Sequence, residues 1–184
     1  MLAATSISDN SADMARVYFA LWPPEPIRDA LTNLAEHLQR TCGGRVMHRS
    51  SLHCTLLFLG EVQRQLIADL LLATDQLCAE SFCLSLEKFG CWQHNQIGYI
   101  APSESPPKLE QLVAALRQKV AAAEFSFDGK TFFPHVTLLR DIVHTVDQHV
   151  ITPLEWQVGE FALVESMPTK PGPYYRILKT WPLS

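Results

Sequence analysis

One pentapeptide occurs twice in the chain. His53-Cys54-Thr55-Leu56-Leu57 and His135-Val136-Thr137-Leu138-Leu139 both read His-x-Thr-Leu-Leu. A single His-x-Thr-Leu arises by chance in about one chain in fifty of this size, and two copies in on the order of one in some thousands. Both copies are rich in β-branched and aliphatic residues, so each is expected to be a strand. In a strand, side chains at i and i+2 share a face. Each motif therefore presents one imidazole beside one hydroxyl, while Cys54 and Val136 turn the other way, toward a packed layer. A chain that carries this surface twice is constrained to fold as two similar halves. If a pseudo-twofold relates the two strands, the four groups meet around one cleft.

That constellation has a chemistry. The unperturbed imidazole pKa lies near 6.5, so one ring can be neutral and its partner protonated around neutral pH, an acid–base pair. Two threonine hydroxyls can donate to the oxygens of a bound anion. The set suits in-line attack at phosphorus, one histidine deprotonating the nucleophile and the other protonating the leaving oxygen, with no metal or other cofactor expected. A lone histidine on a strand is ordinarily a satisfied structural residue, and threonine is simply a good strand former. Duplication of the whole environment favours the functional reading.

Around the motifs, periodicity predicts an α+β chain. Strands are expected at Arg16–Trp22, Leu52–Leu59, Phe82–Trp92, Ile97–Ala101, His135–Leu139, Leu154–Ser166 and Tyr174–Trp181. Helices are expected at Glu25–Arg40, with Ile27, Leu31, Leu34 and Leu38 on one stripe; at Gln63–Ala79, with Leu66, Leu70 and Leu77; and at Lys108–Glu124, with Leu109, Leu112, Leu116 and Val120. Pro23-Pro24 and Gly43-Gly44 bracket the first helix. Short connectors favour antiparallel pairing. The fold expected is α+β and bilobal: two pseudo-symmetric lobes of antiparallel sheet plus helix around a central cleft. Residues 1–14 read as a flexible tail, and 15–184 as a single bilobal domain.

Composition excludes several classes. The 184 residues are 47% apolar and 18% charged, ample for a core. The net charge of −4 rules out a general polycation, so any nucleic-acid contact must come from a local basic patch. No run approaches the ~18 apolar residues of a membrane span, and Met1 to Ala15 has neither a basic start nor an apolar core, so no signal peptide is expected. Five cysteines, an odd number without a Cys-x-x-Cys pair, fit a reducing cytoplasm.

The flanks of the two motifs carry a resemblance. Tyr18-Phe-Ala-Leu, Ile27-Arg-Asp-Ala-Leu, His53-Cys-Thr-Leu-Leu-Phe-Leu-Gly-Glu61, Phe133-Pro-His-Val-Thr-Leu-Leu-Arg-Asp141 and the closing Tyr174-to-Trp181 strand make the chain resemble the two-histidine phosphoesterases, and within them the bacterial RNA 2′,3′-cyclic phosphodiesterases, first described as 2′–5′ RNA ligases. The likeness spans about Arg16 to Pro182. It implies hydrolysis of a terminal 2′,3′-cyclic phosphate of RNA to a 2′-phosphomonoester, with reversible 2′–5′ ligation as a side activity and without metal or nucleotide cofactor. It maps His53 to the proton donor for the departing 3′ oxygen and His135 to the base that activates water. Arg140, directly after the second motif, matches an arginine that binds the phosphate, with Thr55 and Thr137 as phosphate-oxygen ligands. A guanidinium there suits a reaction that builds charge on phosphoryl oxygens. The first motif has Phe58 at the matching position.

Other features are weaker. Arg45, His48 and Arg49 read as a solvated loop or as RNA-backbone contacts; Phe132, Phe133, Trp92 and Tyr175 as core or as stacking partners for a base; Lys170 and Arg176 as additions to a basic rim. Cys91-x-x-His94 has no second pair to complete a metal site. The expected partner is RNA with a 2′,3′-cyclic phosphate end, and a monomer with no obligate protein partner is expected. The rival readings are a phosphodiesterase for a small cyclic nucleotide, ADP-ribose cyclic phosphate or a 2′–5′ oligonucleotide, a non-catalytic RNA-end binding module, and a metal hydrolase using the histidines as ligands.

Overall fold

The computed structural model describes residues 13–170 and 172–184. Nearly all of the expected tail lies outside these residues; its last residue, Met14, already belongs to the first strand. That strand, β1 (Met14–Leu21), ends at Pro23-Pro24, which cannot extend a ladder. Helix α1 (Glu25–Cys42) starts with proline in its first turn and closes on Gly43 at φ 66°, a left-handed conformation that favours glycine. Its buried residues are Leu31, Ala35, Leu38 and Cys42; Ile27 and Leu34 of the expected stripe are partly buried beside them.

The remaining elements are β2 (Arg45–Val46), β3 (Cys54–Gln63), α2 (Ile67–Thr74), β4 (Phe82–Trp92), β5 (Ile97–Ala101), α3 (Pro107–Ala122), β6 (Val136–Arg140), β7 (His149–Val158), β8 (Glu160–Met167) and β9 (Tyr174–Pro182). All strands pair antiparallel in one sheet of order β7-β4-β5-β6-β3-β1-β8-β9, with β2 added beside β6. The sheet divides into two halves of four strands, β3-β1-β8-β9 and β6-β5-β4-β7. They join through a single residue pair, Cys54 opposite Val136. The motif strands are thus the innermost strand of each half.

The helices cover one face of the sheet. Helix α1, which follows a strand of the first half, packs on β6 and β7 of the second, whereas α3, which follows a strand of the second half, packs on β3 and on α2. Leu31, Leu109, Leu112 and Leu116 from the helices meet Phe19, Leu84, Phe89 and Phe161 from the sheet, all without exposed surface or nearly so. Each such side chain contributes ~1.5–3 kcal/mol of burial. Cys54 and Val136, both fully buried, belong to this core as alternation from the histidines requires.

Three expectations need correction. The run expected as one strand at Leu154–Ser166 is two, split at Gly159: β7 lies at the edge of one half, and β8 lies beside β1 in the other. The second helix is shorter than Gln63–Ala79. A 3-10 turn precedes it, and Thr74 ends it by donating its hydroxyl to the Leu70 and Leu71 carbonyls; Leu66 of the expected stripe is exposed. The third stops at Ala122, because Glu124 takes φ 61° and Phe125 N–H bonds back to the Val120 carbonyl. Among the described residues, no helix is long and apolar enough to cross a membrane.

Candidate active site

Both histidines stand just before a strand of the inner pair, and both are pinned in the same way. His53 Nδ1 donates to the Ser51 carbonyl at 2.7 Å, and His135 Nδ1 donates to the Phe133 carbonyl at 2.8 Å. A carbonyl only accepts, so Nδ1 carries the proton in each ring and Nε2 is left for the cleft.

Each ring is also boxed by aromatics. His53 stacks on Trp22 at 5.4 Å and 4° and meets Tyr18 at 5.0 Å and Tyr175 at 5.6 Å. His135 meets Trp92 at 4.8 Å, Phe133 at 5.8 Å and Tyr99 at 5.9 Å. In each box one tyrosine comes from the strand paired with the motif strand, Tyr18 from β1 and Tyr99 from β5. Tyr99 fits only because residue 90 is glycine: a Cβ there would lie 2.6 Å from the Tyr99 hydroxyl.

A β-bulge in each motif redirects the residues beyond the histidine. On β3, Phe19 faces Leu57 and Ala20 faces Thr55, so Leu56 is the extra residue; on β6, Gly98 faces Leu139 and Tyr99 faces Thr137, so Leu138 is. A bulge lets two successive side chains face the same way. Leu56 with Leu57, and Leu138 with Leu139, all enter the core. The next residue in each motif is thereby returned to the histidine face. Strict alternation from Thr137 would have sent Arg140 to the helix side; the bulge delivers it to the cleft, and it delivers Phe58 likewise.

His53, Thr55 and Arg140 line one cavity of about 290 Å³ together with Arg16, Tyr18, Phe58 and Tyr175. His135 lines an adjoining cavity of about 480 Å³, with Trp92, Phe132 and Phe133 on its wall and Lys130 and Asp128 among its polar residues; Thr55 and Phe58 border both. Thr137 is half-buried two residues along the strand from His135 and lines neither cavity. A further cavity of about 610 Å³ holds neither histidine but shares Arg16, Ser166 and Pro173 with the His53 cavity.

Desolvation by the aromatic box pushes His53 down to about 4, helped by the nearby charges of His135 and Arg140. Burial lowers His135 as well. Burial therefore holds both rings toward the neutral form, and protonation of one of them requires a compensating negative charge beside it. Burial raises the Tyr18 and Tyr175 hydroxyls, which stay protonated donors.

The weaker candidates separate cleanly. Arg49 is tied to Glu25 and Asp29 at the start of α1, Arg45 pairs with Asp141 at 3.6 Å, and His48 caps a 3-10 turn through Ser50. These three hold scaffold. Arg176 is held with Arg64 by the buried Glu165. Asp141 is thus occupied by Arg45, and Arg140 pairs with no carboxylate among the described residues. Sequence reasoning missed Tyr18, Trp22, Tyr99 and Arg16; the aromatic density of the first strand was the available signal for the first two. Among the described residues, no three histidine, cysteine or acidic side chains converge as metal ligands.

Two duplicated strands that each present an imidazole beside a hydroxyl, with the Arg140 guanidinium at the His53 cavity, form the arrangement of a two-histidine phosphoesterase. The sequence pattern of the LigT-like phosphoesterases matches residues 21–99 and again 100–175, one copy after the other, and the chain belongs to that family. It is 32% identical over 174 residues to the RNA 2′,3′-cyclic phosphodiesterase of Escherichia coli, covering 92% of this chain and 97% of that one. Identity to the RNA 2′,3′-cyclic phosphodiesterase of Thermotoga maritima is 27%, over 89% of this chain and 92% of that one. The ligand-free crystal structure of E. coli LigT superposes with a TM-score of 0.82 at 30% identity, covering 94% of this chain and 99% of that chain.

Proposed function

We propose that the protein hydrolyses terminal 2′,3′-cyclic phosphates of RNA to 2′-phosphomonoesters, with His53 and His135 as the acid–base pair. The observation that carries this reading is the matched presentation of two imidazoles, each fixed through Nδ1 and leaving Nε2 free, in adjoining cavities that share Thr55 and Phe58, with Arg140 beside His53. His135 takes a proton from water as its oxygen bonds to phosphorus. The bond from phosphorus to the 3′ oxygen breaks, and His53 gives that oxygen its proton. Thr55 and Arg140, which line the His53 cavity, bind the phosphoryl oxygens and stabilise the charge that builds on them, with Thr137 as the matching hydroxyl that the resemblance implies. A ribose 5′-hydroxyl in place of the water makes the same attack a 2′–5′ ligation. The donor set around the cleft is cationic and hydroxylic, which suits an anion better than a cation.

The direct test is a chelator-treated preparation incubated with an oligoribonucleotide ending in a 2′,3′-cyclic phosphate. The expected result is undiminished turnover with the 2′-phosphomonoester as product. Loss of activity on chelation, or binding without ring opening, would reject the mechanism.

The pH dependence follows from the depressed imidazoles. His53 must be protonated, so activity falls as pH rises through its pKa; His135 must be neutral, so activity falls as pH drops through its own. Both pKa values are lowered by burial, so the kcat/KM profile, which reports the free enzyme, is expected to be a bell centred on the acidic side of 6.5. A bound phosphate anion opposes the lowering of His53, so the kcat profile should lie at higher pH. A kcat/KM optimum above 7.5 would contradict the assignment.

A further inference from the structure

The pseudo-twofold is broken at one place in the cleft. The second motif ends in Arg140, the first in Phe58, and the bulges put both on the histidine face. The missing guanidinium of the first motif is supplied from the neighbouring strand: Arg16 of β1 lies 5.1 Å over the Phe58 ring and lines the His53 cavity together with Arg140. Stacking on an aromatic face holds a guanidinium in a fixed orientation with its donors still free. Neither Arg16 nor Arg140 has a carboxylate partner among the described residues, and the charges of both reach Tyr175 between them. Tyr18, only 4% exposed, lines the same cavity and carries a buried hydroxyl without a hydrogen-bond partner. Two free guanidinium groups and one orphaned hydroxyl exceed what a single phosphate beside the histidines needs.

The direction in which the surplus leads is visible. Arg16 and Ser166 also line the 610 Å³ groove, whose wall includes Arg64 and Met167 and neither histidine. Glu61 lies across the ladder from Arg16 and borders the groove without forming an ion pair with it, and the buried Glu165 is neutralised by Arg64 and Arg176.

Resting on the phosphodiesterase reading, we infer that Arg16, carried on Phe58, binds the phosphodiester immediately upstream of the cyclic end, and that this contact makes the enzyme selective for polynucleotide ends over mononucleotide cyclic phosphates. The terminal cyclic phosphate sits at the histidines with Arg140, and the next phosphate along the chain sits at Arg16, at the mouth of the groove. Glu61 opposes that contact through its like charge toward phosphate.

The test compares kcat/KM for a nucleoside 2′,3′-cyclic phosphate with that for di- and trinucleotides bearing the same end. The wild-type protein is expected to favour the dinucleotide at least tenfold, with little further gain for the trinucleotide. Arg16→Gln is expected to reduce that preference about tenfold and to make the salt dependence on the dinucleotide shallower by roughly one phosphate's worth of counterion release. Arg16→Lys, which keeps the charge but not the fork, should restore only part of it, and Glu61→Gln should raise the preference. A wild-type protein active on all three lengths with equal efficiency, or an Arg16→Gln protein with unchanged preference, overturns this inference and leaves the phosphodiesterase reading intact. Inactivity on every length rejects that reading, and this one with it.

Discussion

Replacing either imidazole with alanine is expected to lower turnover of a cyclic phosphate end by ~10²–10⁴-fold, the usual contribution of a positioned general acid or base. The two losses should not add, because acid and base act in one concerted transfer and removing either disables the pair. Both substitutions also open space inside an aromatic box, so part of the effect is structural. His53 lies between Trp22, Tyr18 and Tyr175, and its loss removes packing as well as the proposed proton donor. Asparagine at each position, which keeps polarity and much of the volume, separates the two causes: activity should stay low while the thermal midpoint recovers. Single-turnover rates on a cyclic-ended oligonucleotide, measured beside thermal unfolding, check this. A folded His53→Asn or His135→Asn protein with near-native rates would show that proton transfer runs elsewhere.

Arg140→Gln is expected to lower kcat/KM by ~10²–10³-fold, as for the loss of one preorganised donor at a developing oxyanion. The reason lies in the bulge at Leu138. It turns Arg140 onto the cleft, where no acidic side chain among the described residues pairs with it, Asp141 being engaged by Arg45. The loss should appear mainly in kcat, because charge on the phosphoryl oxygens grows between the bound state and the transition state. Arg140→Lys should recover a minor part, since a point charge cannot reproduce the planar fork. A pure rise in KM would reduce Arg140 to ground-state binding, and an unchanged rate constant would exclude it from the site. The same substitution removes one of the charges that disfavour a proton on His53, so the alkaline limb of kcat/KM should move upward.

Much of this site was legible in the sequence because it is written twice. A repeated His-x-Thr spacing fixes which side chains share a face without any knowledge of where the strands lie. The bulges were harder to read. Simple alternation puts Arg140 on the wrong side, and only the paired leucines, both needing burial, hint that the ladder slips by one residue. The aromatic boxes were not legible, because Tyr18 and Tyr99 reach their histidines through pairing with distant strands. The break at Gly159 was hidden inside a continuous strand-forming run, whose two parts end up in different halves of the sheet. The lowering of both imidazole pKa values was not legible for a related reason: desolvation is a property of the assembled box and not of the histidine's neighbours in sequence.

The single residue pair that joins the two halves has a further consequence. With only Cys54 and Val136 facing each other across the seam, the backbone does little to hold one imidazole at a set reach from the other. That task falls to the helices, because α1 and α3 each brace the half of the sheet opposite to the strand they follow. The reach between the imidazoles therefore depends on packing behind the sheet, and substitutions on the helical layer are expected to alter it without touching the cleft.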